Sequence, residues 1–200
     1  MRFLTGIVLF LFLNTSCAGK EISVKIDRDD IQGIINNHAE VTVFDGAGLK
    51  AVPVSGNKFD GPHGITLNYS GVLYFTRQGY YPETVVFKAQ DKPVIIDDVT
   101  LVPLRDPMKG LLTGVVYKPV TGGKFKEHNG IARTFKGEKI RIVKDDSPQE
   151  VITDDNGVFM IELLPGEYDI FFSNMNVGKA LVEISKTTIR NIQKGVVLID

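Results

Sequence analysis

Tryptophan is absent from this 200-residue chain, cysteine occurs once, and histidine only at His38, His63 and His128. One cysteine excludes an internal disulfide, so packing and hydrogen bonding must hold the fold. His-x-x-Glu, Cys-x-x-Cys and His-Glu-x-x-His spacings are all missing, which leaves no sequence basis for a zinc centre. No serine stands in a Gly-x-Ser-x-Gly setting, the usual sharp turn presenting a nucleophile. These gaps lead to an expectation of no catalytic residues, no metal and no cofactor. Charge of one sign is also lacking. Twenty-three basic against 24 acidic residues leave a net charge of −1, which argues against a nucleic-acid binder, so any electrostatic function must reside in a local patch. Without tryptophan, a carbohydrate platform would fall to Tyr69, Tyr74, Tyr80 and Tyr81. Tyr80 and Tyr81, as neighbours in a strand, would point to opposite faces.

What is present begins with Met1-Arg2, an apolar run over residues 3–13, and the small polar stretch Asn14-Thr15-Ser16-Cys17-Ala18-Gly19. A positive start, a short apolar stretch and small residues are the parts of a secretory signal peptide. The run is too short to cross a bilayer, which takes about 20 residues as a helix. Cys17, placed directly after it, resembles the lipidated cysteine of bacterial lipoprotein signals. That pattern usually carries Leu three residues before the cysteine, where this chain has Asn14, with Leu13 one position further back. The resemblance implies a signal over 1–16, lipidation of Cys17 and attachment to a membrane through the lipid. Cleavage after Ala18, which discards Cys17 and frees a soluble protein, is the alternative.

From residue 20 onward, short apolar runs alternate with Gly, Asn, Asp and Pro, the pattern of strands and turns. Ile22-Ser23-Val24-Lys25-Ile26 has period two. Asp27 to Asp30 are placed to cap a short helix through Ile31, Ile34 and Ile35. Further strands are expected around 41–43, 65–69, 72–76, 84–88, 94–101, 111–117, 139–143, 151–153, 158–163, 168–172, 181–184 and 196–199. Asn156-Gly157 between apolar runs is a strong hairpin signal. Residues 65–75 align with 161–170, giving a repeat of about 95 residues, too long for a solenoid unit. The expected architecture is all-β, with two tandem sandwich modules: 20–105, a polar linker at 106–110, and 111–200.

Three segments of the second module carry a family resemblance: Gly114-Val115-Val116-Tyr117, Thr153-Asp154-Asp155-Asn156-Gly157-Val158-Phe159, and Leu164-Pro165-Gly166-Glu167-Tyr168-Asp169-Ile170. They resemble the opening strand, the Thr-Asp-x-x-Gly-x-Phe hairpin and the Pro-Gly-x-Tyr hairpin of the carboxypeptidase regulatory-like family. In the first module only Ser70-Gly71-Val72-Leu73 and Gly79-Tyr80-Tyr81-Pro82 are similar to it. The resemblance implies transthyretin (prealbumin)-like Greek-key sandwiches used for stability, spacing and protein contact. The hydrolytic branch of that fold ends in Tyr-Arg-Gly-Ser. This chain ends Lys194-Gly195-Val196-Val197-Leu198-Ile199-Asp200, so that activity is not implied.

Residues 120–136 depart from the family by their length. They hold Lys124, Lys126, His128, Arg133, Phe135 and Lys136, and Lys118, Lys139 and Arg141 extend the basic run. Long loops in compact domains are often functional, and a basic stretch with aromatics suits an acidic protein, lipid headgroups or an anionic glycan. Asp145-Asp146 and Asp154-Asp155-Asn156 offer oxygen atoms to calcium but are the ordinary composition of solvated turns. The expected function is that of a non-catalytic lipoprotein of the bacterial cell envelope, anchored at the outer membrane or else periplasmic or secreted. It would bind an envelope protein or an anionic surface ligand through this loop. A structural spacer or accessory subunit, and a secreted carbohydrate-binding protein, are the alternatives.

Overall fold

A computed structural model of the chain describes residues 22–24, 32–34, 39–52, 54–55, 58–60, 70–87, 94–96, 99–122, 130–195 and 197–199. Cys17, the helical turn's Ile35, the strand expected at 65–69, and Lys124, Lys126 and His128 lie outside them. The described residues form strands and turns without a helix. The first half contains β1 (Ile22–Val24), β2 (Gln32–Ile34), β3 (Glu40–Phe44), β4 (Leu49–Val52), β5 (Val54–Ser55), β6 (Lys58–Asp60), β7 (Gly71–Thr76), β8 (Glu83–Phe87) and β9 (Val94–Ile96). The second contains β10 (Gly110–Gly122), β11 (Ile131–Thr134), β12 (Lys139–Lys144), β13 (Ser147–Ile152), β14 (Val158–Leu163), β15 (Gly166–Phe172), β16 (Met175–Val182), β17 (Thr187–Ile189), β18 (Ile192–Gln193) and β19 (Val197–Ile199). Of the short helix expected through Ile31, Ile34 and Ile35, only Ile34 lies among the described residues, and it is not helical. Gln32–Ile34 is a strand paired to β6, because its backbone groups gain a ladder partner that one isolated helical turn cannot supply.

The sequence repeat has a counterpart in strand order. One sheet runs β4-β3-β7-β8 and another β13-β12-β15-β16, all antiparallel, each starting from a hairpin whose first strand also pairs with the third. Between these two sheets lies a third, built on β10. It pairs antiparallel with β11 and β14 and parallel with β17, β18 and β19.

The position of β10 explains its sequence. Leu111-Leu112-Thr113-Gly114-Val115-Val116-Tyr117 shows no polar alternation because both faces are covered. Leu112 and Val116 face the β12–β16 sheet and share a core with Ile140, Ile142, Phe159, Tyr168, Ile170 and Phe172. Val115 and Tyr117 face the opposite way and meet Phe44, Val72 and Tyr74 of the first half. Strand β7 is likewise buried on both sides. Its Leu73 and Phe75 join Val41, Val43, Phe87, Val99 and Leu101 in the first half's own core. Burying one such large apolar side chain contributes about 1.5–3 kcal/mol. The core that joins the halves is therefore a substantial part of the whole.

Polar contacts reinforce this joint. Asn191 Oδ1 accepts from the Tyr74 hydroxyl at 2.5 Å and from the Val115 N–H at 3.1 Å. The Tyr81 hydroxyl donates to Glu162, and Ile131 N–H donates to Ser70 O at 2.8 Å. The Phe44 and Tyr117 rings meet edge to face, 4.8 Å apart. Residues 106–110 are held to the second half, since Ser185 N–H donates to Lys109 O and Ser185 Oγ to Pro107 O. Tyr80 and Tyr81 lie beyond the end of β7, not in a strand. Tyr80 packs against the first core under Arg77.

Two expected hairpins prove to be connections between sheets. β13 belongs to one sheet and β14 to another, so Asp154–Gly157 carries the chain across the sandwich. Asp154 Oδ1 accepts from Asn156 and Val158 N–H, both at 2.9 Å, and only Gly157 has positive φ, at 78°. A Cβ on Gly157 would sit 2.6 Å from Thr134 Cβ. Leu164-Pro165-Gly166 likewise leads from β14 into β15 of the facing sheet. Tyr168 ties it down by donating to Leu164 O at 2.7 Å. The two-residue hairpin turns are elsewhere. Asp145-Asp146 (φ 48° and 59°) joins β12 to β13, and Ser173-Asn174 (φ 48° and 66°) joins β15 to β16. Asp and Asn tolerate this left-handed conformation better than other residues with side chains.

Asp45, at the turn from β3 to β4, is fully buried. It accepts from Ala47 and Gly48 N–H, both at 3.0 Å, and from Lys50 Nζ at 2.8 Å. Burial opposes its charge, but the hydrogen bonds and the Lys50 ammonium outweigh it and hold the carboxyl below its ordinary value of 3.8. A depressed acid contributes stability above its unfolded value and loses it as pH falls through the folded one. Asp45→Ala is expected to cost about 2 kcal/mol at neutral pH, from charged hydrogen bonds lost. The gap to wild type should narrow once pH falls below 3.8. Urea midpoints at neutral and strongly acid pH check this, and a gap that stays constant would show that Asp45 acts only through packing.

Candidate binding surface at the basic end of the second half

The end of β10, strand β11 and the turn into β12 bring together the basic residues that the sequence spreads over 118–141. Phe135 N–H donates to Val116 O at 2.9 Å and Lys194 N–H to Tyr117 O at 2.6 Å, so both side chains emerge beside the same stretch of β10. Thr153 braces the turn. Its hydroxyl donates to Phe135 O at 2.7 Å and accepts from Glu138 N–H at 2.9 Å. This is the work of the threonine in the Thr153-Asp154 motif, and it is structural.

Phe135 is half-buried against the second core and is flanked by two cations. The Arg133 guanidinium stands 4.5 Å from its ring centre and Lys194 Nζ 4.8 Å. Such contacts contribute about 0.5–1 kcal/mol at exposed positions. The ring thus serves as a support that holds the charges in place. Lys194 also meets Glu138 at 2.6 Å, and Lys136 meets Asp155 at 3.5 Å on the surface. Of the residues singled out from sequence, Arg133, Phe135 and Lys136 share this end of the molecule.

Sequence reasoning passed over Lys194, which reaches this surface from the end of β18, more than 50 residues further along the chain. It also passed over a groove of about 300 Å³ on the outer face of the β13-β12-β15-β16 sheet, lined by Arg141, Phe171, Ser173 and Asn174 with Glu138, Lys139 and Glu150. Phe171 could have been found. In Tyr168-Asp169-Ile170-Phe171-Phe172 the period of two buries Tyr168, Ile170 and Phe172, and so turns Phe171 outward.

No protein-family model and no curated protein matches the chain. The likeness of its second half to the carboxypeptidase regulatory-like family remains one of motifs, carried by the β10 stretch Gly114–Tyr117 and by the residues that shape the two inter-sheet connections. Among solved structures, the chain is similar to the Bacillus anthracis TIE protein, at 12% identity over 90% of this chain and 39% of that one, TM-score 0.34. GBS52, the minor pilin of Streptococcus agalactiae, is 11% identical over 82% of this chain and 84% of its own, TM-score 0.34. The major pilin subunit BcpA of Bacillus cereus is 12% identical over 84% and 59%, TM-score 0.26. The chain spans about two fifths of the first of these. Likenesses at this level identify no family and no function.

Proposed function

We propose that this chain is an exported, non-catalytic protein of the bacterial cell envelope, tethered through a lipid on Cys17, whose folded part acts as one rigid binding or scaffold body. The observation that carries the reading is the shared core. β10 is covered on one side by its own sandwich and on the other by Phe44, Val72 and Tyr74 of the first half. Two halves joined this way present their surfaces at a fixed distance and angle, which suits a scaffold. The basic end around Arg133, Lys136 and Lys194 supplies the contact to an envelope protein or an anionic surface ligand. The tether follows from the order of features in residues 1–19. Acyl chains add about 0.8 kcal/mol of membrane affinity per buried CH₂, so more than one chain on Cys17 gives a firm anchor.

A pure spacer is the second reading. It is favoured by the carboxylates already bound to Lys136, Lys139 and Lys194 on the same surface. Two measurements on protein from a bacterial envelope separate these. Intact mass should equal the chain from Cys17 plus acyl groups, and the modification should vanish in Cys17→Ala; an unmodified mass starting near Gly19 removes the tether. Crosslinking in the envelope should capture a partner with wild type and lose it with Arg133→Gln/Lys136→Gln. Equal capture by both would make the chain a spacer as far as this surface is concerned.

A further inference from the structure

We infer that the groove beside Phe171 is a subsite for a single uronic acid unit, so that the anionic surface ligand of the proposed function is an acidic glycan; the inference rests on that reading. Arg141 carries the argument. On the sheet it stands directly between two cross-strand neighbours, Glu150 on β13 and Phe171 on β15. The obvious partner is Glu150, yet that carboxylate goes to Lys139 at 2.9 Å. The Arg141 guanidinium instead lies 4.6 Å from the Phe171 ring centre, and among the described residues it has no carboxylate partner. A guanidinium stacked on a ring keeps its donors free in its own plane, in the fork that fits a carboxylate.

The rest of the groove selects the kind of carboxylate. Ser173 and Asn174, at the left-handed turn from β15 to β16, are part of its lining and add polar residues to it. Glu138 and Glu150 also line the groove, Glu138 paired with Lys194 and Glu150 with Lys139, so among the described residues Arg141 is the lining cation without a carboxylate partner. One such cation suits a ligand with one carboxylate better than an acidic peptide with a row of them. The carboxylate oxygens that the lysines leave over can accept hydrogen bonds from hydroxyls of such a ligand. A volume of about 300 Å³ is at the low end for ligand pockets and suits one sugar ring. The Arg141 stack occupies a face of Phe171 that a neutral sugar would use, so the carboxylate and the hydroxyls supply the recognition. A single such unit binds weakly, and many copies along a glycan raise the overall affinity through effective concentration.

The test is saturation-transfer NMR on the full-length protein purified from the envelope, with D-glucuronate, D-glucose and triglutamate as probes at low ionic strength. Glucuronate should show saturable transfer, and glucose none at the same concentration. Arg141→Gln, an exposed position, should weaken glucuronate about tenfold, the loss of one charge-assisted contact. Lys186→Gln, outside the groove and paired with Glu183 at 3.1 Å, should leave it unchanged. Absence of saturable glucuronate transfer, wild-type binding by Arg141→Gln, or tighter binding of triglutamate overturns the inference. If it fails while partner capture in the envelope still depends on Arg133 and Lys136, only the sugar assignment falls.

Discussion

Gly114→Ala is expected to leave the second half unable to fold stably. Gly114 lies mid-strand in β10, opposite Phe159. A Cβ there would stand 2.1 Å from the Arg190 carbonyl oxygen, 2.6 Å from its carbon and 3.0 Å from Phe159 Cε1. Backbone, not a flexible side chain, is in the way. That backbone is pinned, with Arg190 N–H donating to Thr113 O at 2.7 Å, its guanidinium to Val177 O at 3.1 Å, and the next residue, Asn191, binding Val115. Overpacking a core costs about 1–3 kcal/mol and more where backbone must move, so a loss of about 3 kcal/mol or more is expected. Against a total of about 5–15 kcal/mol, that is enough to empty the soluble fraction or lower the urea midpoint sharply. Gly137→Ala is the comparison. Its φ is +71° with nothing within 4 Å of the added Cβ, so it should cost only about 1–2 kcal/mol, the strain of a left-handed alanine. If Gly114→Ala unfolds at the same midpoint as Gly137→Ala, the close approach of Arg190 is not what requires glycine.

The second large effect belongs to the Tyr74–Asn191–Val115 node that joins the halves. Asn191→Ala removes one acceptor and strands two donors, a tyrosine hydroxyl and a backbone N–H. An unsatisfied buried group costs about 1–3 kcal/mol, so the variant should lose about 2–5 kcal/mol. Tyr74→Phe removes only one donor and leaves Val115 served, and should lose about 1 kcal/mol. In a Tyr74→Phe background, Asn191→Ala strands one group in place of two, so the double variant should be more stable than the two losses summed. Additive losses would mean that the two side chains act independently. The node also has a pH signature. Burial pushes the Tyr74 hydroxyl far above its ordinary value of 10.0, so it stays protonated in the fold while the unfolded chain ionises. A raised acid gives a contribution that is full below the unfolded value and lost as pH rises past it. Wild-type stability should therefore fall above pH 10.0, with a shallower fall in Tyr74→Phe. Because the core is shared, near-native variants should unfold in one transition by any probe.

Many of the strands were legible in the sequence because their signals are local, whereas β4, β11 and β17 were not, and β11 lies within the stretch 120–136 that reads as a loop. Period two in Lys139-Ile140-Arg141-Ile142-Val143 sends Ile140 and Ile142 inward and Lys139 and Arg141 out, as observed. The repeat between residues 65–75 and 161–170 was visible, and β7 and β15 occupy equivalent places in their sheets. Turns were legible as turns, but not where they led. Asn156-Gly157 reads as a hairpin because two strands flank it, yet a turn sequence does not record which sheet its second strand joins. Asp154 bends the chain from one sheet to the other, while Asp145-Asp146 and Ser173-Asn174, less favourable by composition, make the hairpins. Similarly, Gln32-Gly33-Ile34 pairs with a strand some 25 residues later, and that partner overrides a weak helical periodicity.

For the candidate surface, the basic stretch around Arg133, Phe135 and Lys136 was legible from charge and aromatic content alone. That Lys194 joins it, that Phe135 supports cations and is not free, and that Arg141 is left without a carboxylate beside Glu150 depended on register and on which side chains share a face. By itself, then, the sequence determined an all-β chain with turns at stated residues, a balanced charge and a leader-like start, since each rests on neighbours within a few residues. Only the tertiary structure decided that the two halves share a core. A continuous apolar run such as residues 111–117 says that both faces of β10 are covered, and nothing in it says by what. Phe44, Val72 and Tyr74 lie some 40 to 70 residues away, and burial that reaches so far along the chain leaves no local trace.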